Sequence, residues 1–138
     1  GHTVLEPSAG TGNILKALPC VRPNGAVVAV ELLQAARAGL EPWADEVHTD
    51  DFLSMNGNLG TFDRILMNPP FKNGIDIQHI LHAKSHLNPG GRLVAICANG
   101  PRQQEQLKPL ADYWEDLPEG TFKEAGTNVN TALLVIEN

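Results

Sequence analysis

Short apolar runs alternate along this chain with segments whose apolar residues recur every three or four positions. The runs predict buried strands and the segments predict amphipathic helices, because strand side chains alternate between faces whereas helical ones share a face at that spacing. We predict strands at 3–6, 26–31, 46–49, 63–67 and 92–97, helices at 13–18, 32–40 and 76–87, a weaker polar helix at 102–114, and a closing strand pair at 121–124 and 131–136. This alternation predicts an α/β, doubly wound, mostly parallel seven-stranded sheet with an antiparallel last strand.

The length of 138 residues predicts a single domain. Asp and Glu outnumber Lys and Arg by 16 to 10, so the formal charge is −6, which argues against tight, unaided binding to a polyanion. No apolar run approaches the roughly 18 residues that a membrane span needs. The two cysteines, Cys20 and Cys97, lack metal-binding spacing and are typical of reduced thiols. We therefore predict a cytoplasmic protein without a membrane partner or a metal.

The turn after the first predicted strand combines an acid with two glycines, since it contains Glu6, Pro7, Ser8, Ala9, Gly10, Thr11 and Gly12. Glycines let a ligand approach the backbone, although alone they are equally typical of a plain tight turn. Glu31 ends the next strand about 20 residues later, which suits the two hydroxyls of a ribose. A buried Glu6 would repel a pyrophosphate and attract a cationic amino group. The turn thus predicts a site for an amino-acid-bearing nucleoside.

Another candidate turn, Asp50-Asp51-Phe52, follows the third predicted strand. A carboxylate beside an aromatic ring can hold an adenine, because the acid accepts from the exocyclic amine and the ring stacks on the base. By themselves, these residues are more typical of an exposed acidic turn with Phe52 in the core.

The most specific turn, Asn68-Pro69-Pro70-Phe71 (NPPF), follows the fourth predicted strand. Its prolines lack backbone donors and stiffen the loop. The Asn68 side chain and the Pro69 carbonyl remain as acceptors, which suits a planar amino group with two N–H donors. The Phe71 ring suits a flat base lying on it. The alternative, a rigid turn with a buried Phe, is much less favoured.

Together these turns resemble the class I, S-adenosylmethionine-dependent methyltransferases, and within them the amino-methyltransferases marked by (D/N/S)-P-P-(Y/F/W). The resemblance runs from Val4 to Ile136. The glycine turn precedes the NPPF motif, an order similar to that of gamma-type adenine-N6 DNA methyltransferases. The resemblance implies a Rossmann-like fold and S-adenosyl-L-methionine as cofactor. The DNA enzymes of that family usually carry a separate target recognition domain, whereas here we expect one catalytic domain over 1–138 without it.

The resemblance also implies roles for individual residues. The implied cofactor-binding residues are Glu6, Pro7, Ser8, Gly10, Gly12, Glu31, Leu32, Asp51, Phe52 and Asn68, and the implied catalytic residues are Asn68, Pro69, Pro70 and Phe71. Hydrogen bonds from the target amine to Asn68 and the Pro69 carbonyl would free its lone pair, while Phe71 stacks on a flipped base.

The resemblance favours DNA adenine N6 as the acceptor. Adenine N6 or guanine N2 in RNA, a protein glutamine, and an inactive subunit that needs a partner for nucleic-acid contact stay open as alternatives. We expect the segments 102–114 and 126–131 to line the substrate side. Few cations lie near the expected open face, namely Lys72, Lys84, Arg92 and Arg102.

Three histidines recur at helical spacing within the predicted helix 76–87, namely His79, His82 and His86. We expect them to lie on a solvated helix face, with a metal site as the less favoured alternative.

Overall fold

The computed structural model describes residues 2–20, 25–121 and 129–138. Over these ranges the chain forms one sheet with helices on both faces. The strands are β1 Val4–Glu6, β2 Val27–Val30, β3 Glu46–His48, β4 Phe62–Met67, β5 Leu87–Ala98, β6 Tyr113–Asp116 and β7 Thr131–Glu137. The helices are α1 Asn13–Ala17, α2 Arg37–Leu40, α3 Ile75–Lys84 and α4 Pro101–Gln106. None of these helices is long and apolar enough to cross a membrane.

The seven strands of the described ranges follow the order β3-β2-β1-β4-β5-β7-β6. Strands β1 to β5 are parallel, whereas β7 runs antiparallel to both of its neighbours, β5 and β6. This topology confirms the predicted fold class, including the antiparallel last strand. The carboxyl ends of β1 to β5 meet at one edge of the sheet, called the carboxyl edge here, where ligands of such sheets bind.

Two apolar layers cover the faces of the sheet. Val4 packs with Leu15 of α1 and Leu40 of α2, whereas its neighbour Leu5 packs with Ile80 of α3 on the other face. Each of these five side chains is at most 2% exposed. Consecutive strand residues therefore serve opposite layers, which explains why the central strand β2, Val27–Val30, is apolar and buried throughout.

The predicted helix at 102–114 is wrong beyond Gln106. Pro109 cannot continue a helix, because it lacks the backbone donor, and the chain enters β6 at Tyr113. In β6, Trp114 pairs with Leu134 of β7. Strand β6 thus lies beside β7. Of the predicted strand 121–124, Thr121 is a turn residue and the rest lies outside the described residues.

Two predicted helices are shorter than expected. The segment 32–40 forms a 3₁₀ turn, Gln34–Ala36, and then only the single helical turn of α2. Helix α3 ends at Lys84, and β5 already begins at Leu87. The pairing of β4 with β5 shifts register between Phe62 and Arg64 of β4. This shift accommodates Pro89 and Gly90 of β5, where Gly90 has φ +78°.

Candidate functional site

The glycine turn connects β1 to α1 and adopts a backbone that glycine favours. Gly10 and Gly12 have φ values of +54° and +88°. A Cβ atom at Gly12 would lie 3.1 Å from Leu40 Cδ2, whereas a Cβ atom at Gly10 would find nothing within 4 Å. Glycine is therefore favoured at position 12 by both the positive φ and the close contact with Leu40, and the space above Gly10 is open for a ligand.

Glu31 follows β2 and connects two turns of the carboxyl edge. Its Oε1 accepts the N–H of Gly10 at 3.0 Å, and its Oε2 accepts the N–H of Leu33 at 2.9 Å. A carboxylate has about four acceptor positions, so both oxygens keep capacity for a further donor. Beside it, Leu32 and Leu33 are 67% and 66% exposed. The end of β2 thus presents a fixed acid next to uncovered apolar surface.

Glu6 ends β1 and is only 1% exposed. Burial raises its pKa to about 8; the Ser8 N–H, which donates to Oε1 at 3.0 Å, opposes this rise, and the charge of Glu31 adds to it. The Ser8 hydroxyl is also buried and has no hydrogen-bond partner among the described residues. A cation bound here would stabilise the carboxylate form of Glu6.

The structure separates the two neighbours Asp51 and Phe52. Asp51 is exposed after β3, and its Oδ1 accepts the Leu53 N–H at 3.0 Å, which caps a 3₁₀ turn. Phe52 is 2% exposed, and its ring lies 4.8 Å from the His82 ring in an edge-on contact. This burial contradicts the expected stacking of Phe52 on an adenine. Its backbone N–H is the first of the turn and has no intrahelical acceptor.

His79 and His82 of α3, and His86 just after it, lie against Phe52, so the expected solvated face is wrong. His79 and His86 are buried, and a ring nitrogen of the half-buried His82 lies 2.6 Å from the Met55 carbonyl oxygen. Burial also lowers the pKa of His79. The described residues contain no group of three or more His, Cys, Asp or Glu side chains that could hold a metal. Packing against an aromatic ring explains these histidines.

The NPPF turn leaves β4 at the same carboxyl edge. Asn68 and Pro70 are exposed, Pro69 is buried and Phe71 is half-buried. Neither the Asn68 side chain nor the Pro69 carbonyl has a hydrogen-bond partner within the described ranges. Phe71 lines a cleft of about 720 Å³, called the Phe71 cleft here. An aromatic ring thus lines a ligand-sized space, and the two acceptors lie two and three residues before that ring in the chain.

The sheet order brings most of the sequence-predicted site residues to one edge. Strands β3, β2, β1 and β4 are consecutive neighbours, so the turns with Asp51, Glu31, the glycines and Asn68 lie side by side. Other lining residues of the Phe71 cleft come from the segment after β5 and from the residues just before β7, namely Arg102, Gln103, Val129 and Asn130. These four belong to the predicted segments 102–114 and 126–131, of which 126–128 lie outside the described residues. That these segments line the substrate side stays a prediction.

Asp76 is a buried residue of the site that the sequence reasoning missed. It is fully buried in the first turn of α3 and accepts the Ala98 N–H at 2.8 Å and the Gln103 side-chain N–H at 3.1 Å. It therefore ties the helix after the NPPF turn to other lining residues of the Phe71 cleft. The available signal was an acid four residues before Ile80, on the apolar face of a predicted helix.

Two of the four cations expected near the open face lie elsewhere. Arg92, near the beginning of β5, pairs with Glu137, and Lys84 is the last residue of α3. Because α3 starts at the carboxyl edge, both residues lie at the opposite ends of the strands from that edge. Lys72 and Arg102 line the Phe71 cleft.

This edge has the features of the class of S-adenosylmethionine-dependent methyltransferases. The chain belongs to the methyltransferase small domain family, whose model matches residues 2–121. S-Adenosylmethionine is the methyl donor of this family, which confirms the predicted cofactor. Curated relatives include ribosomal RNA small subunit methyltransferase C of Haemophilus influenzae, 34% identical over 125 residues, covering 82% of this chain and 36% of the relative.

Solved structures share the fold at lower identity. TrmN from Thermus thermophilus is 23% identical with a TM-score of 0.75, and the match covers 100% of this chain and 44% of that one. A 16S rRNA N2 methyltransferase of Thermus thermophilus, in complex with AdoMet and guanosine, is 24% identical with a TM-score of 0.67, covering 100% of this chain and 38% of that one.

These relatives correct the substrate expected from the motif order. The curated relatives are named as ribosomal RNA enzymes, so the comparisons do not support DNA adenine N6. The chain spans less than half the length of those relatives.

Proposed function

We propose that this chain catalyses methyl transfer from S-adenosylmethionine to an exocyclic amine of an RNA base, with guanine N2 as the favoured acceptor. The observation that carries the proposal is the pair of unpartnered acceptors, the Asn68 side chain and the Pro69 carbonyl, beside Phe71 and its cleft. The choice of RNA rests on the curated relatives, which are named as ribosomal RNA methyltransferases. The choice of guanine N2 draws on the name of the solved 16S rRNA N2 methyltransferase of Thermus thermophilus.

The residues at the ends of β1, β2 and β3 fit the cofactor. Glu31 has acceptor capacity for ribose hydroxyls, and the exposed Leu32 offers apolar surface to an adenine. Glu6 suits the cationic amino group of the methionine part, because a nearby cation favours its ionised form. The open space above Gly10 allows close approach to the backbone. Asp51 and the Phe52 N–H complete the adenine side.

When bound, S-adenosylmethionine supplies a methyl group on a positively charged sulfur. An exocyclic amine is a poor nucleophile, because its lone pair is delocalised into the base. The Asn68 side-chain oxygen and the Pro69 carbonyl accept the two N–H groups of the amine and favour a tetrahedral nitrogen. Both acceptors also stabilise the positive charge that develops on that nitrogen.

The other residues of the motif orient the base. Phe71 presents its ring to the base plane, which holds the amine at the mouth of the cofactor site. The two prolines fix φ in the loop, so the acceptors are preorganised rather than ordered by the substrate. No side chain of the described residues needs to act as a base, because an ammonium-like product loses its proton readily to water.

The experiment is methyl transfer from labelled S-adenosylmethionine to unmethylated small-subunit ribosomal RNA, with modified nucleosides identified by mass spectrometry. We expect N2-methylguanosine. We expect Asn68→Ala to lower kcat by roughly 10² to 10³ while cofactor affinity is kept. Asn58→Ala is the matched control, since Asn58 is exposed in the Gly57–Leu59 turn, outside the NPPF loop. N6-methyladenine as the product, or full turnover of Asn68→Ala, would contradict the proposal.

A further inference from the structure

The Phe71 cleft carries positive charge in an acidic chain. The chain has 16 acidic residues and a formal charge of −6, yet no Asp or Glu is among the described residues that line this cleft. Its charged lining residues are Lys72 and Arg102, and the rest are apolar, glycine or amide-bearing. Neither cation forms an ion pair with a carboxylate of the described ranges. The cleft therefore favours an anion.

Arg102 is held against the loop that carries Phe71. Its Nη1 donates to the Asn73 carbonyl at 3.5 Å. Its guanidinium also packs over Gly74, where a Cβ atom would lie 2.8 Å from Nη1. A guanidinium has five N–H donors, so most remain available to a ligand. Asn73 and Gly74, just after the NPPF turn, thus position Arg102 without neutralising its charge.

Two acids that contact lining residues of the cleft are already engaged in hydrogen bonds. Asp76 lies buried beneath it and accepts from Ala98 and Gln103. Asp116 accepts from the side chains of Asn99 and Trp114, and these hydrogen bonds, the Trp114 one first, lower its pKa. Neither carboxylate contacts Lys72 or Arg102, which leaves the charge of the two cations to the cleft.

We infer that Lys72 and Arg102 bind the phosphodiesters that flank the acceptor nucleotide when its base lies against Phe71. This inference rests on the proposed function and specifies its substrate as a base within a polynucleotide. A guanidinium matches two phosphate oxygens at once, whereas an ammonium acts as a point charge. The cleft volume of about 720 Å³ is ample for one nucleotide.

The test is binding of a fluorescently labelled single-stranded oligoribonucleotide containing one guanine, measured by anisotropy over a range of salt concentrations. Each phosphate contact to a single strand contributes about 0.7 to the slope of log affinity against log salt. We expect the double variant Lys72→Gln/Arg102→Gln to lose about 1.4 of that slope. A fourfold rise in salt should then weaken the wild type about sevenfold more than the double variant.

Two variants separate charge from packing. Lys84→Gln removes the same charge at the opposite edge of the sheet and should leave the slope unchanged. Arg102→Lys keeps the charge but not the planar group over Gly74, so it should retain the slope. An unchanged slope in the double variant, a lost slope in Arg102→Lys, or no measurable binding of the wild type at low salt would overturn the inference.

A competition arm identifies the source of the phosphate. Guanosine 5′-monophosphate should displace the oligonucleotide only in large excess. Equal competition at matched concentration would assign the cations to free nucleotides and overturn the inference. Failure of the proposed function is a separate result, because binding with the expected slope but without N2-methylguanosine would reject only the methylation chemistry.

Discussion

Replacing Glu6 by Gln removes a buried charge while nearly preserving its shape. Gln keeps an oxygen that can accept the Ser8 N–H, as Glu6 Oε1 does at 3.0 Å. Below pH 4.5, the ordinary pKa of a Glu, both side chains are neutral in the folded and unfolded states. A difference in stability between the two proteins that grows with pH therefore reports the ionisation of Glu6 alone.

The size of that difference follows from the pKa of Glu6, which burial raises from 4.5 to about 8. Between these two values, the unfolded chain releases the proton whereas the folded chain keeps it, so rising pH favours unfolding. Each pH unit in this window costs the wild type about 1.4 kcal/mol relative to Glu6→Gln. The relative loss is about 3 kcal/mol at neutral pH and levels off near 5 kcal/mol above pH 8.

The assay is urea unfolding, followed by the fluorescence of Trp43 and Trp114 and repeated from pH 4.5 upward. Glu105→Gln serves as the control, because it removes an exposed acid of α4 and should track the wild type. We expect the curve of Glu6→Gln to diverge from both. Parallel free energies of unfolding for Glu6→Gln and wild type across the whole window would refute the reasoning.

The same titration has a consequence for cofactor binding. If the cationic amino group of S-adenosylmethionine lies against Glu6, binding ionises the acid and releases a proton. The wild-type affinity should then rise with pH up to about 8, by as much as roughly tenfold per unit. Titration calorimetry in buffers of different ionisation enthalpy measures the released proton, and Glu6→Gln should release none.

Three further predictions address other parts of the site. Glu31→Ala should weaken S-adenosylmethionine binding by about 10- to 100-fold in calorimetry, since hydrogen bonds to a charged group are lost; unchanged affinity would place the ribose elsewhere. Asp76→Asn should cost about 3 kcal/mol in urea unfolding, because the N–H groups of Ile77, Ala98 and the Gln103 side chain lose a charged acceptor, and adding Gln103→Glu should restore part of it. Gly12→Ala should destabilise the fold by more than Gly10→Ala, because both positions have positive φ but only Gly12 also meets Leu40, at 3.1 Å; equal melting temperatures would contradict this.

The parallel part of the fold could be predicted from sequence because each element there carries its own local signal. The apolar run ending at Val30 and the NPPF turn after Met67 mark strand ends without any knowledge of neighbours. The strand at Tyr113–Asp116 has no such signal, since its residues are mostly exposed and its formation depends on pairing with β7. Non-local pairing therefore decided the segment in which the sequence prediction failed.

The candidate site likewise contains residues that the sequence indicates and residues whose roles only the fold reveals. Glu6, Glu31 and Asn68 could be named from sequence, because each ends a strand whose carboxyl end falls at one edge. The burial of Phe52 could not, since the three histidines against it come from α3 and the residues just after it, about 30 residues later in the chain. Asp76 and Arg102 likewise acquire their roles only when the segment after β5 folds against α3. Residues at strand ends can be located from local sequence, whereas the walls of the Phe71 cleft form only through tertiary contacts.

The net charge of the chain is a poor guide to its ligand, because its charges are segregated along the carboxyl edge. Acids occupy the turns after β1, β2 and β3, where a cationic cofactor would be stabilised. The described lining of the Phe71 cleft lacks acids and carries Lys72 and Arg102. Asn68 lies at the boundary between the two halves and is itself neutral. In the proposed complex, a phosphate would meet attraction on one side of Asn68 and repulsion on the other. This difference would orient the acceptor so that its base, rather than its backbone, faces the methyl donor.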